Sequence, residues 1–238
     1  MPSEDYMDRD EQDERDDIID ADEDHGLVDD IVDEDTDLDD VEDTDDADDD
    51  TVTFASLGLP EEILEAVTDM GFRFPTPIQA AAIPPLLELR DVVGIAQTGT
   101  GKTAAFGLPL LAIVDADERD VQALVLAPTR ELAMQSAQAI EDFAARTARL
   151  DVVPVYGGSP YGPQIGALKR GAQVVVGTPG RVIDLIEKGA LDLSNVRMLV
   201  LDEADEMLRM GFAEDVETIA SSAPDDRLTA LFSATMPA

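Results

Sequence analysis

The sequence predicts an α/β domain with a doubly wound, mainly parallel sheet, and three observations predict it. Six short runs rich in Val, Leu and Ile recur along residues 51–238. Longer segments with helical spacing separate them, and the residues with chemical character fall just after the apolar runs. Strands divided by helices pair in parallel through right-handed crossovers. All strand C-termini then line one edge of the sheet, where ligands bind.

In chain order the strands are assigned to 91–96, 122–127, 152–156, 173–177, 198–201 and 228–232. Each is apolar at successive positions, which implies cover by helices on both faces. Two helices, 60–70 and 78–89, precede the first strand. The intervening helices are 102–114, 130–147, 161–170, 181–188 and 213–220.

Composition divides the chain at residue 51. Of 54 acids and 16 bases, residues 1–50 hold 28 acids and 2 bases, and the remainder 26 and 14. The first segment therefore carries -26 of the net charge of -38. Like charges at that density, with few apolar groups to offset ordering entropy, predict a disordered acidic tail over 1–50. The tail reads as a solubilising leader, or as a nucleic-acid mimic that screens a basic surface and offers protein partners a contact. Lys at only three positions would suit a halophile's surface, but -12 over the rest is too modest to require it. His25, the one histidine, lies in this tail and reads as a solvated side chain rather than a metal ligand.

Zero cysteine excludes a disulfide scaffold, a thiolate metal site and a cysteine nucleophile. No apolar run approaches the ~18–20 residues of a bilayer span, and the acidic start is unlike an export signal. The expectation is a cytoplasmic protein without membrane contact.

After the first strand comes Ala96-Gln97-Thr98-Gly99-Thr100-Gly101-Lys102-Thr103, opening into a helix. This is a P-loop with Ala96 at its first glycine position, workable if residue 96 needs no positive φ. Gly99 and Gly101 let backbone N–H groups curl toward phosphate oxygens, and the helix N-terminus adds partial positive charge. Lys102 reaches the β- and γ-phosphates and Thr103 ligates Mg²⁺. After the fifth strand stands Asp202-Glu203-Ala204-Asp205. An acid ending a buried strand needs a nearby cation, so Asp202 reads as the holder of Mg²⁺ on a nucleotide. Glu203 can orient, or take a proton from, the attacking water. Two adjacent acids in so acidic a chain would alone suggest a solvated turn; the P-loop reverses that.

Asp202-Glu203-Ala204-Asp205 also resembles the signature of the DEAD-box RNA helicases, and further motifs follow in order over about 52–238. Phe54 and the run from Gly71 to Gln79 resemble the adenine-reading Q motif. Pro128-Thr129-Arg130, Gly157-Gly158 and Thr178-Pro179-Gly180-Arg181 resemble the RNA-contacting motifs, and Ser233-Ala234-Thr235 the motif coupling hydrolysis to unwinding. The likeness is to a bacterial member and implies a RecA-like P-loop NTPase domain using ATP and Mg²⁺.

The resemblance also implies roles. Gln79 reads the adenine edge and Phe72 stacks on the ring, with Phe54 buttressing the pocket. Pro128, Thr129, Arg130, Gly158, Thr178, Pro179, Gly180 and Arg181 hold RNA by phosphate and 2′-hydroxyl without sequence preference. Ser233 and Thr235 bond toward Asp205. A second RecA-like domain, supplying arginine fingers, is part of such enzymes and not of this sequence, so little hydrolysis is expected from it alone. The other reading is a binding module whose affinity for RNA or protein is switched by ATP, with no unwinding.

Overall fold

A computed structural model describes residues 52–147 and 149–235. The acidic segment 1–50, His25 and the expected boundary at residue 51 lie outside the described residues.

All six anticipated strands form, and they make one wholly parallel sheet in the order β1-β6-β5-β2-β4-β3. They are β1 (Val92–Ile95), β2 (Ala123–Leu126), β3 (Val152–Val155), β4 (Val174–Gly177), β5 (Met198–Leu201) and β6 (Leu228–Ser233). The helices among the described residues are α1 (Glu61–Asp69), α2 (Pro77–Leu87), α3 (Lys102–Ile113) and α4 (Arg130–Phe143). After them come α5 (Tyr161–Arg170), α6 (Pro179–Glu187), α7 (Ala204–Arg209) and α8 (Ala213–Ser221).

Strand alternation makes two cores. Along β2, Ala123 and Val125 enter one apolar cluster, which Val67, Ile83, Phe106 and Ile140 of α1–α4 complete. Leu124 and Leu126 enter the other, completed by Leu185, Met207 and Ile219 of α6–α8. Each fully buried Leu, Ile or Phe side chain contributes about 1.5–3 kcal/mol, so the central strands are strongly fixed in register.

The expectation of cover on both faces fails at β1. Val93 and Ile95 are 58% and 53% exposed, because β1 ends the sheet and α2 packs on one side only. On that side Gly94 is required, since a Cβ there would lie 2.7 Å from the Phe232 ring.

Helix ends differ where caps decide them. The helix expected over 130–147 stops at Phe143 in a turn. The helix expected from 181 begins at Pro179, because Thr178 takes the N-cap and proline's fixed φ suits the first helical position. Helix α7, of 6 residues, and a 3₁₀ turn at Phe54–Leu57 were not anticipated, being too short for a 3.6-residue period to register. Among the described residues no helix is long and apolar enough to cross a membrane.

Candidate functional site

All six strand C-termini deliver a motif to the same edge of the sheet. The loop after β1 is held at its base by Ala96 N–H donating to Ser233 O (2.9 Å), the continuation of the β1–β6 ladder. Gly99 and Gly101 adopt φ of 81° and 87°, while Ala96 is not among the positive-φ residues, so alanine is accepted at that position. Gln97, Thr98 and Gly99 are exposed, and the Thr100 hydroxyl donates to Gln97 O at 2.7 Å. Thr103 lies half-buried in the first turn of α3.

Gln79 is buried and bridges two elements. Its Oε1 accepts from Thr76 N–H at 2.9 Å, capping α2, and its Nε2 donates to Gly101 O at 3.1 Å. The amide is therefore committed to the protein at both ends. Glycine at 101 is needed twice: for its φ, and because a Cβ would lie 2.3 Å from Gln79 Nε2. Phe72 is 45% exposed with its ring centroid 6.5 Å from that of Phe54, which is itself core.

The acids after β5 meet the lysine after β1 across the intervening strand β6. Lys102 Nζ donates to Glu203 Oε1 at 2.8 Å, and both residues are buried. Glu203 reaches that partner from a left-handed backbone, φ 53°, a conformation that costs a non-glycine residue about 1–2 kcal/mol. Asp202 is buried beside them. Its Oδ2 accepts from the Ser136 hydroxyl at 3.4 Å, whereas Oδ1 has no hydrogen-bond partner among the described residues. Burial foremost, then the charge of Glu203, raises the Asp202 carboxyl to about 6. Such a group is suited to a cation, because a cation removes both penalties. Among the described residues no three His, Cys, Asp or Glu side chains form a metal-holding cluster.

Asp205 opens α7 one turn away. Burial works to raise its pKa, but donors led by the Thr235 hydroxyl (2.7 Å to Oδ2) pull it down to about 2. The Ser233 hydroxyl, which donates to Thr235 O at 2.5 Å, also helps to lower Asp205, and Arg209 lies 3.6 Å from its Oδ2.

The other half of the edge, after β2, β3 and β4, is built from backbone and caps. Thr129 caps α4, accepting from Leu132 N–H at 3.3 Å, with Pro128 buried before it. Thr178 holds the N-cap position of α6 without a side-chain bond to the helix, with Pro179 buried and Gly180 exposed beyond it. Gly157 and Gly158 are exposed, Gly158 at φ 75°. Arg130 is exposed, its guanidinium 4.8 Å from the Tyr156 ring centroid.

Arg181 departs from the sequence reading, because its guanidinium is not presented to solvent. It is 7% exposed, lies 4.0 Å from the Tyr161 ring centroid, and donates to Gln164 Oε1 and Ser159 O, both at 3.0 Å. Ser136, Tyr156, Tyr161 and Gln164 were missed from sequence. Each is a single residue on an otherwise ordinary element, and only the folded neighbourhood gives it a partner.

Comparison with known proteins agrees with this geometry. Residues 76–238 match the DEAD/DEAH box helicase family. The chain is 60% identical over 188 residues to the ATP-dependent RNA helicase DeaD of Haemophilus influenzae, covering 79% of this chain and 31% of that protein. It is 58% identical over 185 residues to the ATP-dependent RNA helicase DeaD of Mycobacterium tuberculosis, covering 78% and 33%. The chain thus spans about a third of the length of these curated relatives. A DEAD box protein from the hyperthermophile Methanococcus jannaschii superposes with a TM-score of 0.74 at 47% identity, over 78% of this chain and half of that one. A hypothetical ATP-dependent RNA helicase from Sulfolobus tokodaii gives 0.69 at 43%, over 75% and 52%. With the family match spanning more than half of the sequence and its motifs gathered on one sheet edge, the chain belongs to the DEAD/DEAH box helicase family.

Proposed function

We propose that this chain is the N-terminal RecA-like half of an ATP-dependent RNA helicase, binding ATP at the β1/β6/β5 edge and RNA at the β2/β4/β3 edge. The observation that carries the reading is the buried Lys102–Glu203 pair, 2.8 Å apart at the mouth of a glycine loop. A lysine and a glutamate from distant loops, held out of water beside a second acid, have little value as surface decoration. A pair so buried stabilises a fold little over apolar residues of the same size.

The residues divide the work. Backbone N–H groups of 97–101 and the α3 N-terminus receive the phosphates, and Lys102 exchanges Glu203 for a phosphate oxygen. Glu203, released from the lysine, orients and deprotonates the attacking water. Asp202 and Thr103 are the residues that would hold Mg²⁺, which when bound neutralises charge on the phosphates. Gln79 Nε2 gives up Gly101 O for the adenine edge, which links base recognition to the loop glycine, and Phe72 offers its exposed ring for stacking. Asp205–Thr235 carries the state of the acidic loop to the end of β6 and so to the motion that uses hydrolysis.

RNA backbone is received by the free Thr178 hydroxyl, by Thr129, Gly158 and Gly180, by the N-termini of α4 and α6, and by Arg130. Arg181 serves indirectly, its bond to Ser159 O holding the Gly157–Gly158 loop in place. In the intact polypeptide a second RecA-like domain closes on ATP and supplies arginine fingers, worth about 10³–10⁵ in rate in related NTPases.

The test is ATP turnover by the intact polypeptide with and without single-stranded RNA, at two salt concentrations. Stimulation by RNA that weakens with salt is expected; turnover indifferent to RNA would contradict the proposal.

A further inference from the structure

We propose that single-stranded RNA does not end at the Gly157–Gly158 loop but continues down the outer edge of β3 into an arginine-lined groove at the opposite end of the sheet. The inference rests on the RNA reading above and extends its footprint.

Two cavities lie along β3. One, of about 330 Å³, has Val153, Pro154, Tyr156 and Ser159 in its wall and so opens beside the glycine loop. The other, of about 380 Å³, is lined by Arg119, Arg149, Arg170 and Gln173, with Asp117 and Asp151. Asp151 and Arg170 line both, so the two cavities adjoin along the β3 edge. At ~3.3 Å per residue the four residues of β3 give it a run of ~13 Å.

Charge favours a polyanion. Across residues 51–238 acids outnumber bases 26 to 14. In the lower cavity three arginines face two aspartates, and Lys169 adjoins Arg170 in sequence. The one ion pair recorded there, Arg149–Asp117 at 3.3 Å, has both side chains at least 80% exposed. Exposed pairs are worth ~0–1 kcal/mol, so a phosphate can replace the aspartate at little cost. Arg170 spends one nitrogen on Gly166 O, leaving the rest of its guanidinium available. Arg149 also holds a left-handed backbone, φ 67°, a strain that tends to persist at functional positions.

The upper end supplies a stacking platform, Tyr156 with the Arg130 guanidinium 4.8 Å from its ring centroid. The edge itself disfavours a protein strand as occupant. Pro154 removes a donor from the middle of β3, and strand addition depends on an unbroken row of such donors.

The test uses this chain with fluorescent oligouridylates of about 6 and about 20 nucleotides, the first within and the second beyond the ~4–16 nucleotides of common single-strand sites. Arg149→Gln combined with Arg170→Gln is expected to weaken the long RNA about tenfold. It should also flatten its log-affinity against log-salt slope by about 1.4, at ~0.7 per lost phosphate contact. Binding of the short RNA and the melting temperature are expected to stay as in the parent. Tyr156→Ala should weaken the long RNA in the same direction without changing the salt slope. Equal affinity of the parent for both lengths, or an equal loss for both in the double variant, would overturn the extended path alone. Failure of the parent to bind either length would overturn the RNA reading and this inference together. Loss of binding to a polyglutamate peptide, with long-RNA affinity intact, would assign the groove to an acidic protein and overturn it as well.

Discussion

The two halves of the functional edge are made of different materials. At the β1/β6/β5 half, chemistry resides in buried charged side chains that hold each other: Lys102 with Glu203, and Asp205 with Thr235. At the β2/β4/β3 half it resides in helix N-termini, glycine backbone and cap hydroxyls, and the one buried arginine is spent on Gln164, Ser159 O and Tyr161. On the proposed function, the difference is how an acidic domain would serve a polyanion. Net charge need not be positive where dipoles and N–H groups are aimed locally, whereas bond cleavage needs ionised groups withdrawn from water.

Substitutions should therefore act sharply on one half and gradually on the other. In the intact polypeptide, Glu203→Gln is expected to lower RNA-stimulated ATP turnover by about 10²–10⁴ while ATP binding persists. Turnover within threefold of the parent would show that the buried pair is structural. Lys102→Ala should weaken nucleotide binding at least tenfold, and it should also destabilise the domain by about 3–5 kcal/mol, because Glu203 is left buried without its cation. Denaturant melts of the single and double variants separate these effects, since Glu203→Gln added to Lys102→Ala should restore part of the loss.

On the other half, Gly158→Ala places a side chain in open space but at φ 75°, so about 1–2 kcal/mol of backbone strain is its only cost. RNA affinity is expected to fall roughly tenfold, with ATP affinity unchanged. A parallel fall in both would erase the distinction between the halves. Arg130→Gln should cost less and reduce the salt slope by about 0.7.

Proton linkage sharpens the same contrast. Asp202 titrates near 6 in the folded domain against ~3.9 in an unfolded chain. Its protonated form thus stabilises the free domain below about pH 4, and that contribution is lost as pH rises through about 6. Affinity for Mg²⁺-ATP, which needs the carboxylate, should climb over the same window. Asp202→Asn should remove both slopes; superimposable pH profiles of parent and variant would contradict the assignment. Asp205 has the opposite sign, its stabilisation being present above pH 4 and lost as pH falls toward about 2. The smallest effect is expected from Gln79→Ala, a loss of discrimination between ATP and GTP of about twofold to threefold, measured by competition.

Much of the arrangement was legible in the sequence, for physical reasons. Strands flanked on both sides must be apolar throughout, so β2, β4 and β5 announced themselves, and the motifs were found because they follow strands. Val93 and Ile95 misled, since an edge strand with one bare face has the same composition as a central one. Arg181 misled for a related reason: a motif gives the residue and not the direction of its guanidinium, which Tyr161 and Gln164 decide from another helix. The hold of Gln79 on Gly101 was equally out of reach, being a contact across 22 residues.

The account turns on nucleotide binding at the lysine–glutamate pair, and calorimetric titration of ATP-Mg²⁺ into this chain and its Lys102→Ala variant tests it most directly. One saturable site in the parent and at least a tenfold weaker one in the variant is the predicted result. Equal affinity in the two proteins would contradict it.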